Sequence, residues 1–297
     1  MKPHVLLMTI VALTGLYILD GPPASAQDHF RSRASGNWSD DTTWLIYTAN
    51  DASWATTTDE PGDTDFAQIH PRHTITVDGA KTVSYLEIRD NASVVTGTNT
   101  LTINQDGGLF IEAGGLLNVS GNGGKVDFTV AGSNTIDGEL RLSDAGALLE
   151  ITADIVLGGA GMIKGTVAGA KISVDALKKL TSQMRIEGFV TIAGTSEALT
   201  GFFHNEGWVV ADIDSARILL EDLTFRGRGE WRIGPSTNTA EIEFASDAKA
   251  TQLAGDFVLL GENGTLDIYA NVITSGLLSW LDGSIIVRTS SIEFRCN

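Results

Sequence analysis

Apolar and polar residues alternate along most of the chain, in short runs broken by glycine. In "LTINQDGGLFIEAGGLLNVSGNGG", residues 101–124, Leu101/Ile103, Leu109/Ile111 and Leu117/Val119 fall on every second position, and the intervening positions are largely polar. The same pairing recurs upstream at Ile75/Val77 and downstream at Val126/Phe128, Leu140/Leu142 and Leu266/Ile268. A period of two turns successive side chains to opposite faces of an extended backbone, so each run predicts a short strand with one buried face. Gly, Asn and Asp fill the gaps, where the positive φ of tight corners is needed.

An all-β fold follows, and two architectures explain it. In a single-stranded right-handed parallel β-helix, three such strands make a coil of roughly 20 to 25 residues, and stacked coils bury a continuous aliphatic column. In an antiparallel β-sandwich, the pairs Asp78-Gly79, Asp106-Gly107, Asp137-Gly138, Asn263-Gly264 and Asp282-Gly283 are hairpin turns. The absence of long Greek-key connections and a total of 33 glycines favour the solenoid. Outward Thr, Ser and Asn suit ladders of like side chains. In "SVDALKKLTSQM", Leu177 and Leu180 stand at helical spacing behind Ser173 or Asp175, which predicts a short helix over 176–183 or an irregular coil edge.

Residues 1–26 have the layout of a secretory signal: Lys2, an apolar run from Val5 to Leu19, then small residues ending in Ala24-Ser25-Ala26. The run is shorter than the roughly 20 residues a spanning helix needs, so export without membrane insertion is expected. Residues 27–58, rich in Trp, Ser, Thr and Asp, are expected to cap the repeats, which occupy 59–297. The single Cys296 permits no intramolecular disulfide. Acids outnumber bases by 37 to 20, for a formal charge of −17, which repels phosphate backbones and argues against nucleic acid as a partner.

"SGNWSDDTTW" followed by "EPGDTDFAQIHPRHTITVDG" resembles the opening segment of secreted bacterial β-helix proteins, carried by Gly36, Asn37, Trp38, Trp44, Pro61, Gly62, Asp65, Ile69, Ile75 and Val77. It is also similar to the Trp/Pro/Gly opening of glycine-rich G8-type domains. "GFFHNEGWVVAD" resembles the rung corner of adhesin-type β-helices at Phe203, Asn205 and Gly207. The resemblance implies a parallel β-helix on an extracellular surface protein and no particular activity. The Gly-His-Gly and Arg-x-Lys of polygalacturonase-like helices are missing, as is the glycine-rich nonapeptide of calcium-binding β-rolls.

Several residues are candidates for binding. Trp38, Trp44, Tyr47 and Trp54 concentrate aromatic rings near the start, either as a sugar-stacking surface or as a plug for the open end of the column. Arg226, Arg228 and Arg232 in "RGRGEWR" form a basic stripe suited to an acidic sugar or to balancing nearby acids such as Glu241, Glu243 and Asp247. Asp63 and Asp65, near His70 and His73, are candidate metal ligands, with calcium the cation their oxygens would suit; two carboxylates alone do not complete its shell of six to eight oxygens. His204 and Glu206 stand two apart, as an acid and base would on one strand face. Asn-x-Ser/Thr triplets begin at Asn37, Asn91, Asn118 and Asn263.

These readings lead to an expectation of a secreted or cell-surface, non-catalytic β-helix with an adhesive, matrix or polysaccharide-binding role and no cofactor requirement. Its expected partners are an extracellular polysaccharide or a surface protein. The strand-like "SIEFRCN" at the C-terminal edge adds self-association. The alternatives are a polysaccharide lyase or glycosidase on the same scaffold, and a module of a longer surface protein.

Overall fold

The computed structural model describes residues 27–48, 52–196, 200–211, 215–234, 239–260, 263–288 and 294–296. The expected signal, residues 1–26, lies outside them. The described chain is all-β and winds into a parallel β-solenoid of about nine turns. Each turn contributes one short strand to each of three sheets. In the first winding these are Phe66–Ile69, Thr74–Thr76 and Lys81–Val83. Among the described residues the three sheets hold 14, 11 and 10 strands respectively. At a strand spacing of ~4.8 Å, ten stacked strands make a rod about 43 Å long.

Register explains the recurring aliphatic pairs. In the third sheet Leu101 pairs with Val126, Val126 with Leu149, Leu149 with Ile172, Ile172 with Ile192 and Ile192 with Leu220. All six are buried, so like positions stack on like and form one continuous column. The antiparallel alternative is thereby corrected: every pairing between successive windings is parallel, and the Asp-Gly pairs lie at corners or strand starts and reverse no strand. From Phe203 onward the column turns aromatic: Phe203, Phe225, Trp231, Phe244 and Phe257 meet in a chain of contacts 5.6–6.4 Å between ring centres.

Glycine has a specific task at the corner between the first and second sheets. There the backbones of successive windings approach so closely that a Cβ on Gly161 would lie 2.0 Å from the carbonyl oxygen of Gly138, and one on Gly255 would lie 1.7 Å from that of Gly229. Gly138, Gly207, Gly229 and Gly276 occupy equivalent positions, where an added Cβ would lie 2.1–2.4 Å from a carbonyl oxygen on the preceding winding. The glycine-rich composition is thus in part a stacking requirement.

The short helix expected over 176–183 does not form. Lys179–Ser182 is a strand of the first sheet. Leu180 points into the column, whereas Leu177 sits in the preceding turn at φ +62° and is 63% exposed. Their three-residue spacing reflects a turn entering a strand. The outward faces also differ from the expected ladders of Thr, Ser and Asn. A Thr74–Ser93 hydroxyl pair occurs at 2.9 Å, but many later windings carry ion pairs instead.

Candidate binding surfaces

The N-terminal segment extends the first sheet. His29–Ser32 lies parallel to Phe66–Ile69 and antiparallel to Trp44–Thr48, which pairs in turn with Ser53–Thr56. Trp38 and Trp44 are 0% and 1% exposed and belong to the same buried cluster as the column. Their rings meet edge to face at 5.1 Å. Each indole N–H is satisfied, Trp38 donating to the Pro61 carbonyl at 3.2 Å and Trp44 to that of Trp38 at 2.7 Å. With both rings covered, these two tryptophans offer no face for a sugar to stack on. Tyr47 and Trp54 sit outside, 5.5 Å apart, and Arg31 lies 4.4 Å over the Trp54 ring.

The three arginines of the basic stripe stand on different faces of the rod. Arg226 projects from the first sheet, 4.8 Å over Phe202. Arg228 is exposed at the corner, and Arg232 on the second sheet donates to Glu230 at 2.6 Å. Of the acidic run, Glu241 and Glu243 pair with Arg217, and outside it Arg288 holds the buried Asp267. His204 lies on the first sheet, half-buried, and burial lowers its pKa against the opposing pull of Glu206.

Asp65 is engaged with backbone. Its carboxylate accepts the N–H groups of Gly62 at 2.8 Å and Asp28 at 3.2 Å. The carbonyl of Asp63 accepts from Asn104 at 2.9 Å. Among the described residues no three His, Cys, Asp or Glu side chains group closely enough to hold a metal ion, and no helix is long and apolar enough to cross a membrane.

One residue passed over in the sequence stands out. Trp208 is 55% exposed on the second sheet, in register between Arg185 and Glu230. It borders an open groove of about 400 Å³ along the first corner, with Glu206, Arg228, Glu230 and Asp256 on its walls. The signal was available: in "GWVVAD" the buried Val209 and Ala211 place Trp208 on the opposite, outer face.

These features define the chain as a parallel β-solenoid. Compared with known proteins, it matches no family model, no curated protein and no solved structure.

Proposed function

We propose that the protein is an exported, non-catalytic β-solenoid that binds extracellular polysaccharide and serves an adhesive or matrix role. The observation that carries this reading is Trp208, a solvent-facing indole beside an open groove whose walls bear carboxylates and a guanidinium. An aromatic face packs against the C–H face of a pyranose while flanking polar groups hold its hydroxyls. The groove's walls carry three carboxylates and one arginine, which suits a neutral sugar better than an acidic one. Weak contacts at such a site add along a multivalent polymer through avidity. Export is supported by the layout of residues 1–26, and the surface-protein resemblance at Gly36–Val77 points the same way.

The test is retention on immobilised neutral polysaccharides, with the eluate assayed for new reducing or unsaturated ends. Retention without cleavage is expected, and Trp208→Ala should weaken it by about 1 kcal/mol, the value of one stacking contact. Because the ring is exposed, the variant should unfold at the wild-type temperature. Generation of new chain ends would replace this reading with a lyase or glycosidase.

A further inference from the structure

The N-terminal end carries a concentration of positive charge that the rest of the molecule does not explain. Arg31 and Arg33 flank Ser32 at the end of the strand His29–Ser32, and His70 and His73 face them from the corner that follows Phe66–Ile69. With Leu45 these residues line an open concavity of about 280 Å³ that includes no Asp or Glu. Arg72 occupies the same corner, exposed and held at φ +68°. Its N–H is anchored to the Asn91 carbonyl at 3.0 Å.

On a chain of formal charge −17 about half of the described cations find carboxylates, Lys81, Arg89, Lys125, Arg141, Arg217 and Arg288 among them, and the unpaired ones elsewhere, such as Lys179 and Arg228, are scattered over separate windings. Among the described residues Arg31, Arg33 and Arg72 form no ion pair. Arg31 is instead braced over Trp54. The polar floor is ordered too. Ser32 Oγ, buried, accepts the His70 N–H at 2.8 Å and lies 2.9 Å from His73 Nδ1. A neutral imidazole that accepts the serine proton at Nδ1 keeps its N–H on Nε2 as a further donor. Burial, and next the neighbouring His70, favour that neutral form.

We propose that this concavity binds an oxyanion, a carboxylate or sulfate group, held by the guanidinium groups of Arg31 and Arg33 with His70 and His73 completing the wall. Guanidinium forks match such groups with paired, charge-assisted hydrogen bonds. The volume is just under the roughly 300 Å³ at which small-molecule pockets begin, enough for a single anionic sugar residue. That the anion comes from an acidic polysaccharide rests on the polysaccharide binding proposed above, although the Trp208 groove itself favours a neutral sugar; the oxyanion site does not rest on it, and it stands about six windings away from Trp208.

The experiment is calorimetric titration of the full chain at low salt with trigalacturonate, with inorganic sulfate and with neutral cellotriose. Trigalacturonate should bind, and Arg33→Gln, a solvent-exposed change, should weaken it at least fivefold. Arg31→Gln should do the same, while Lys179→Gln, which removes one equally exposed charge on a distant winding, should leave it unchanged. Sulfate binding as tightly as trigalacturonate and lost in the same variants supports the site with a free oxyanion as its ligand. Absence of heat with both anions, or anion binding equal in Arg33→Gln and wild type, overturns the site. Neutral-polysaccharide retention that persists in that case leaves the Trp208 reading intact, so the two failures are distinguishable. Unfolding temperatures matching wild type exclude misfolding as the cause of lost binding.

Discussion

A glycine in this chain is replaceable or not according to which winding lies above it. Gly79 has no heavy atom near the position of an added Cβ and does not adopt positive φ, so Gly79→Ala should be neutral or stabilising by about 0.4–1 kcal/mol, through a less flexible unfolded chain. Gly161→Ala places its methyl 2.0 Å from a backbone carbonyl that cannot rotate away. It should destabilise by about 3 kcal/mol or more, and urea midpoints of the two variants measured side by side check the contrast. Asn205 makes a related point. It is fully buried, donates to the Glu230 carbonyl at 3.1 Å and accepts the Gly207 N–H at 3.2 Å. Asn205→Ala leaves both without that partner and should cost about 1–3 kcal/mol in the same assay. The asparagine-glycine corner was readable in "HNEGW", but its burial was not, because nothing local says that the next winding closes over it.

At the scale of strands, alternation located the buried positions well, since Ile75, Leu101, Leu117 and Val126 all point inward. Pairing direction was beyond it: an Asp-Gly step serves a hairpin and a solenoid corner with the same backbone freedom, and only non-local register distinguishes them. The outer faces were also illegible, because residues that pair across windings stand 19 or more positions apart, as Thr74 and Ser93 do. Glu187 shows what such pairing does. Burial raises its carboxyl pKa, but Lys164 from the preceding winding at 2.8 Å and Arg185 at 2.6 Å outweigh that, and the net shift is downward. A carboxylate with a depressed folded pKa contributes stability that is complete above its unfolded value and lost as pH falls through the folded one. Wild type should therefore exceed Glu187→Gln in stability at neutral pH, and the gap should close on acidification below the ordinary carboxylate range. Urea unfolding of both proteins across pH tests this; a gap independent of pH would contradict it.

The whole molecule joins an acidic flank to an apolar end, and the two pull self-association in opposite directions. Around the winding that contains Val272–Thr274, Leu278–Trp280 and Ser284–Val287, Leu277 and Leu281 are 71% and 80% exposed, and Trp280 is exposed beside them. Elsewhere on the rod large apolar side chains are exposed singly, a pattern that needs no partner, whereas a cluster of them marks a contact surface. A second rod approaching that surface brings −17 against −17, a repulsion that acts over ~30 Å at 0.01 M salt and over ~8 Å at 0.15 M. Association should therefore be suppressed at low salt and appear as salt is added, the reverse of an interface built on ion pairs. Sedimentation velocity on the full chain across that salt range checks the sign. Leu281→Lys should remain monomeric throughout, since it inserts a charge where the apolar surfaces would meet. A weight-average mass that falls with added salt, or one that Leu281→Lys leaves unchanged, would place the contact on the charged flanks instead.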